Sequence, residues 1–274
     1  MPGGRTPPGL IRLGVLGDPL AFTLSPVLHR AALESLGLAG ESSAIPTPRA
    51  ALAARLRELA GRGFRGVNLT HPLKHEALAH LERVSESARR ARSVNTVSFE
   101  AGGASGDTTD GSGFVDLLRS LGRAPETERV VLLGAGGAAR SLALALGEAG
   151  ATVTLSARQP AASADPPDLP GTLVSWRSPG EAQALATASL VVNATPLAGE
   201  QGPVDLELVP RAAALIDLVY AGEVTPWVAR ARGLGYPAWD GLGLLVFQAR
   251  RSLELWLGQP VAIEPLARAA GWPR

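Results

Sequence analysis

Cysteine is absent from this 274-residue chain, and that absence removes disulfides, thiolate metal sites and thiol nucleophiles together. Long apolar runs are missing too. No stretch approaches the roughly 18 to 20 residues that a membrane-spanning helix needs. A charge excess of either sign is also lacking: 26 Lys and Arg stand against 25 Asp and Glu, a formal net charge of +1, and they are scattered. Such a balance gives no electrostatic argument for a nucleic acid or a membrane surface as partner. The opening residues MPGGRTPPGL carry Pro and Gly and no apolar core, so they read as a floppy leader and not as a signal peptide. The expectation is a cytoplasmic protein that binds a small molecule.

Lysine is almost absent as well. Among the 26 Lys and Arg residues only Lys74 is lysine, so a chain that otherwise uses arginine has kept one amine. A guanidinium serves solubility but stays protonated, whereas an amine is compact and can be made to exchange protons by burial. A surface lysine surviving by chance is the plain alternative. The residues around it decide.

From Ile11 short apolar runs alternate with amphipathic stretches: IRLGVLG, SPVLHRAALESLGL, SSAIPT, PRAALAARLRELAG, FRGVNLT. A second such series begins at Arg129 with RVVLLGAGG, ARSLALALGEAG, ATVTLSA, TLVSW, ASLVVNAT and AALIDLVY. Strand and helix in turn predict α/β architecture with mostly parallel sheets, and two series predict two domains. The segment GSGFVDLLRSLGRAPETE between them reads as one helix and a polar connection, with the boundary near residue 112. The closing helices from Gly243 follow the second series but need not pack on it. The expected division is residues 1–112 plus 243–274 against 113–242, and the Pro/Ala/Asp stretch 160–170 is expected to be one mobile loop.

VVLLGAGGAAR is an apolar strand running into Gly134, Gly136 and Ala139, with a helical pattern directly after. That is the G-x-G-x-x-G/A pattern in its strand-to-helix context, which predicts a dinucleotide site at Gly134, Ala135, Gly136, Gly137, Ala138 and Ala139. An ordinary tight turn is the alternative, and context disfavours it. The next strand ends TLSARQ, with Arg158 where an NAD site would place an acid; arginine suits the 2′-phosphate of NADP. A solvated loop arginine is the other reading.

Eight segments, in order, carry polar or glycine-rich strand ends: GDPLAFTLSPVLH (17–29), GVNLTHPLKHE (66–76), SVNTV (93–97), GDTTDGSGF (106–114), GAGGAAR, NATP (193–196), DLVY (217–220) and GLGLLVFQA (241–249). Together they resemble the shikimate dehydrogenase family from about residue 11 to 258. The resemblance implies a substrate domain and a Rossmann-like NADP domain with a cleft between them. It implies reduction of 3-dehydroshikimate to shikimate by NADPH, with Lys74 and Asp110 as the catalytic pair: Lys74 donates the proton and Asp110 directs it. Thr23 and Ser25 match hydroxyls that bind the substrate carboxylate, and Asn68, Thr70, Asn95 and Gln248 match residues that bond the ring hydroxyls. Tyr220 matches a substrate-side phenol, while Leu218 and Gly241 match positions beside the nicotinamide. Taken singly, Asn68 and Asn95 read more readily as structural turn formers or caps.

Several positions depart from the family pattern. Phe22-Thr23 stands for His-Ser, Thr108 for Asn, and Ala157 and Gln159 flank Arg158 in place of Asn and Thr. These leave quinate as a second substrate, and a silent NADP-binding sensor as a rival reading. No metal is expected: in HPLKHEALAH the second histidine, His80, lies five residues after His75, one beyond the helical register of zinc-binding pairs. His29 and His71 are expected to be hydrogen-bonded or surface groups, and a monomer or homodimer is expected.

Overall fold

The computed structural model describes residues 9–20, 22–158, 169–197, 199 and 202–274. Most of the leader, Gln159 and residues 160–168 of the expected loop lie outside the described residues.

The first series builds β1 (Ile11–Gly17), α1 (Ser25–Ser35), β2 (Gly40–Pro46), α2 (Leu52–Gly61), β3 (Phe64–Leu69), α3 (Leu73–Glu76), β4 (Arg83–Val84), α4 (Glu86–Ala91), β5 (Thr96–Glu100) and β6 (Gly103–Asp107). Its sheet runs β2-β1-β3-β5-β6-β4. Three pairings are parallel, but β5 lies antiparallel to both β3 and β6. The expectation of a mostly parallel sheet therefore holds with a local exception. Only two residues separate β5 from β6, and a hairpin that short can join only antiparallel strands.

α5 (Asp110–Ser120) leads into the second series: β7 (Arg129–Leu133), α6 (Gly137–Glu148), β8 (Thr152–Ala157), β9 (Thr172–Ser175), α7 (Pro179–Ala186), β10 (Leu190–Asn193), β11 (Ala214–Asp217), α8 (Pro226–Gly233) and β12 (Ala238–Trp239). This sheet is parallel throughout, in the order β12-β11-β10-β7-β8-β9. β7, β10 and β11 read as nearly unbroken apolar runs because helices cover both faces of the sheet. The chain closes with α9 (Leu242–Leu257) and α10 (Ile263–Ala270), each ended by a glycine in the left-handed region, Gly258 and Gly271.

Residue 112 falls in the first turn of α5, and this helix is core: Phe114, Val115, Leu117 and Leu118 pack with β7, β8 and α6. α9 serves both halves. Its Leu244 and Phe247 join that cluster, while Leu245, Val246, Ala249 and Leu253 pack with Leu13 and Leu28 of the first half. Among the described residues no helix is long and apolar enough to cross a membrane.

The crossing of α5 on α6 depends on Gly111, where a Cβ would sit 2.3 Å from the Ser141 carbonyl oxygen. Backbone cannot give way as a side-chain tip can. Gly111→Ala is expected to cost about 1 to 3 kcal/mol of overpacking, read as a lower urea midpoint with an unchanged slope.

Candidate active site

The strand ends of both sheets meet around a cavity of about 260 Å³. Its wall includes Thr23, Ser25, Asn68, Thr70, Lys74, Asn95, Asp110, Ala138, Leu218, Tyr220, Gly241 and Gln248. Twelve of the eighteen expected site residues are thus brought together. Gly134, Ala135, Gly136, Gly137 and Ala139 lie beside it in the β7 to α6 turn, and Arg158 stands apart, exposed where β8 ends.

Lys74 rides on α3, a single turn that follows β3 after the Thr70-His71-Pro72 corner. Its Nζ donates to Asp110 Oδ2 at 2.6 Å, with 22% of the lysine side chain and 6% of the aspartate side chain exposed. Asp110 opens α5, where the helix dipole favours a carboxylate. Its other oxygen accepts from Asn95 Nδ2 at 2.8 Å. That amide group also lies within reach of Thr109 Oγ1 and Gln248 Oε1, while Asn95 Oδ1 accepts from the Thr109 backbone N–H. The pair is therefore held from several segments, with the lysine the more exposed of the two.

His29, expected to be hydrogen-bonded or at the surface, is hydrogen-bonded. It is fully buried, with Nδ1 2.8 Å from Ser42 Oγ and Nε2 3.0 Å from Asn68 Oδ1. Asn68 Nδ2 donates to the Asn95 carbonyl and to Ser252 Oγ, so its Oδ1 must face the histidine, and His29 must carry its proton on Nε2. Nδ1 then accepts from Ser42. Burial lowers the His29 pKa from 6.5 to about 4, partly offset by its bond to Asn68. The only hint in the sequence was a polar ring on the face of an apolar helix.

At the other end of the cavity Thr23 and Ser25 flank the start of α1. The Tyr220 phenol lies beside the Thr23 side chain and the Leu24 backbone, and burial pushes its pKa up. Phe22, half-exposed, lies with its ring 6.0 Å from that of Tyr220. Thr108 does not line the cavity; its hydroxyl pairs with Ser141 of α6 at 2.8 Å. Behind Leu218, Asp217 accepts from Asn193, Thr225 and the Val219 N–H, and burial raises its pKa.

The glycine turn fits a dinucleotide. Gly134 has φ +114° and approaches Ala194, Gly136 has open space where a Cβ would stand, and no side chain caps α6. The first N–H groups of that helix are therefore unclaimed and available to phosphate oxygens. Gly137 has a second reason to be glycine. A Cβ there would lie 2.6 Å from Ser93 Oγ, on the side where Lys74 also approaches.

Comparison with known proteins gives the family. The family model for the shikimate dehydrogenase substrate binding domain matches residues 15–97. The shikimate dehydrogenase (NADP(+)) of Thermus thermophilus is 41% identical over 265 residues, covering 95% of this chain and 99% of its own. The chain belongs to the shikimate dehydrogenase family. A crystal structure of the Thermus thermophilus member in complex with NADP(H) and shikimate superposes with a TM-score of 0.85 at 40% identity, covering 96% of this chain and 99% of the other. A 5-ketofructose reductase from a Gluconobacter strain has the same fold at 27% identity and a TM-score of 0.81, covering 96% and 98% of the two chains.

Because His29 is neutral in the folded protein at pH values where the unfolded chain protonates it, folding stability falls as pH drops from 6.5 toward 4. This one group should remove about 2 kcal/mol between pH 7 and pH 5. Urea unfolding at the two pH values, repeated on His29→Asn to subtract the background from carboxylates, measures it; equal pH slopes in both proteins would contradict a buried neutral imidazole.

Proposed function

We propose that this protein catalyses the NADP-dependent, reversible reduction of 3-dehydroshikimate to shikimate, in the cytoplasm, as a monomer or homodimer. The observation that carries the reading is the 2.6 Å contact between Lys74 Nζ and Asp110 Oδ2 on the wall of a cavity that adjoins the glycine turn. NADPH, when bound, supplies a hydride to the C3 carbonyl. Lys74 donates the proton that the developing alkoxide needs, and in the reverse direction takes it back. Asp110 aims the amine, and Asn95 aims Asp110. Hydroxyl donors at Thr23 and Ser25, joined by the Tyr220 phenol, bind the substrate carboxylate without the bulk of an arginine. Asn68, Thr70, Asn95 and Gln248 bond the ring hydroxyls.

The residues that would hold the cofactor are the turn from Gly134 to Ala139, with the α6 N–H groups on the pyrophosphate, and Arg158 on the 2′-phosphate. Leu218 and Gly241 leave a small apolar wall for the nicotinamide. We further infer that residues 1–112 with 243–274 act as a substrate unit and 113–242 as a cofactor unit. α5 and α9 bridge them, so closure over the substrate would turn on those two helices.

Lys74→Met is expected to lower kcat by at least about 10²-fold in a nicotinamide-absorbance assay while NADPH still binds. A folded variant with near-native turnover would end the assignment. Arg158→Ala should raise KM for NADP+ by about 10-fold or more and leave KM for NAD+ nearly unchanged, since the lost contact is a charge-assisted bond to the phosphate. Rates with quinate beside those with shikimate decide how far Thr23, whose methyl narrows the carboxylate end, restricts the ring.

A further inference from the structure

Arg274 touches nothing in the cavity, yet its guanidinium clasps the two loops that form one wall of it. Nε and Nη2 reach Asp240 Oδ2 at 2.9 and 2.5 Å, and Nη1 donates to the Gly222 carbonyl at 2.8 Å. Nη2 also lies 3.0 and 2.9 Å from the carbonyls of Ala221 and Glu223. The arginine is itself held. Arg232 Nη2 donates to its carbonyl at 2.8 Å, and nearby Trp272 sets its ring edge against Phe247 of α9.

What the clasp holds gives it consequence. Residues 221–223 follow Tyr220 directly, and Asp240 directly precedes Gly241. The Gly241 N–H donates to Val219 at 3.0 Å, and its backbone lies so close to Leu218 that a Cβ would stand 2.3 Å from the Leu218 carbonyl oxygen. Leu218, Tyr220 and Gly241 thus form one rigid surface, with the arginine behind it. Asp240 is 3% exposed, and among the described residues no other cation pairs with it. The Asp217 carboxylate is near enough to feel its charge. Without the guanidinium, the Asp240 carboxylate would stay buried with no cation opposite it, and relief would come by moving the loops.

We propose that Arg274 is a positioning residue for hydride transfer, setting the Leu218, Tyr220 and Gly241 wall through Asp240 and the carbonyls of residues 221–223. This rests on the reading of that wall as the nicotinamide and substrate side of the site. A misplacement of about 1 Å at such a surface can cost up to about 10²-fold in rate.

The test uses the full chain with Arg274→Met and Arg274→Lys, assayed at a temperature where circular dichroism shows each folded. Arg274→Met should lower kcat for shikimate oxidation by about 10-fold or more and raise KM for shikimate through Tyr220. The NADPH dissociation constant, from fluorescence titration, should stay near the wild-type value because the glycine turn and Arg158 hold the other end. The deuterium isotope effect on kcat should rise as hydride transfer becomes slower than product release. Lysine keeps the charge opposite Asp240 but cannot reach all three carbonyls, so it should recover only part of the rate. A folded Arg274→Met with wild-type kcat and isotope effect overturns the proposal even if its melting temperature falls; should that variant not fold, Arg274→Lys with wild-type kinetics does the same. An inactive wild type would overturn the activity and the proposal together, whereas an active wild type matched by the variants would overturn the proposal alone.

Discussion

A carboxylate buried at the junction of two sheets sets the terms for everything around it. Asp110 is 4% exposed, and an ionised group taken out of water costs several kcal/mol unless it is paired and fully hydrogen-bonded. Its partners come from the first half of the chain, Lys74 after β3 and Asn95 before β5, while Asp110 itself starts the helix that leads into the second half. The ion pair is thus also a joint. It ties the N-terminus of α5 to the first sheet, and the close approach of Gly111 to Ser141 ties the same turn to α6. Lys74 is left with one open side, facing the cavity.

Much of this was legible in the sequence because it is local. Alternation of apolar runs and amphipathic stretches located both sheets, and the strand-to-helix context singled out the Gly134 to Ala139 turn. The lone lysine drew the eye because of what surrounds it. What composition and periodicity could not convey are contacts between residues far apart in the chain. Asn68 bonds Ser252, 184 residues away, and Asn95 meets Gln248 across 153. No pattern in either segment announces such a partner. For the same reason the helix read after the boundary gave no sign of which partners its apolar face would meet in the second half, and Thr108 stood out as a departure although its hydroxyl simply pairs with Ser141. The antiparallel β5 follows from a two-residue hairpin, a local feature hidden inside a globally parallel pattern.

The polar side of the cavity is constrained before any ligand arrives. Asn68 offers two amide protons, and three acceptors already compete for them: the Asn95 carbonyl, Thr96 Oγ1 and Ser252 Oγ. Its carbonyl oxygen is engaged by His29. A hydroxyl brought up to Asn68 would therefore not fill a vacancy; it would take over a bond from one of the buried hydroxyls, which form a cluster with Thr109 and can re-pair among themselves. That exchange costs little because hydroxyls rotate freely between donor and acceptor roles. A neutral histidine on one side and a rearrangeable hydroxyl cluster on the other thus fix the orientation of the Asn68 amide. The same economy explains why the amine sits apart from the cluster. Lys74 donates to Asp110 and to no hydroxyl of that set, so a change of partners within the cluster leaves the amine on its carboxylate. A donor already held in place needs no reorganisation when charge develops beside it.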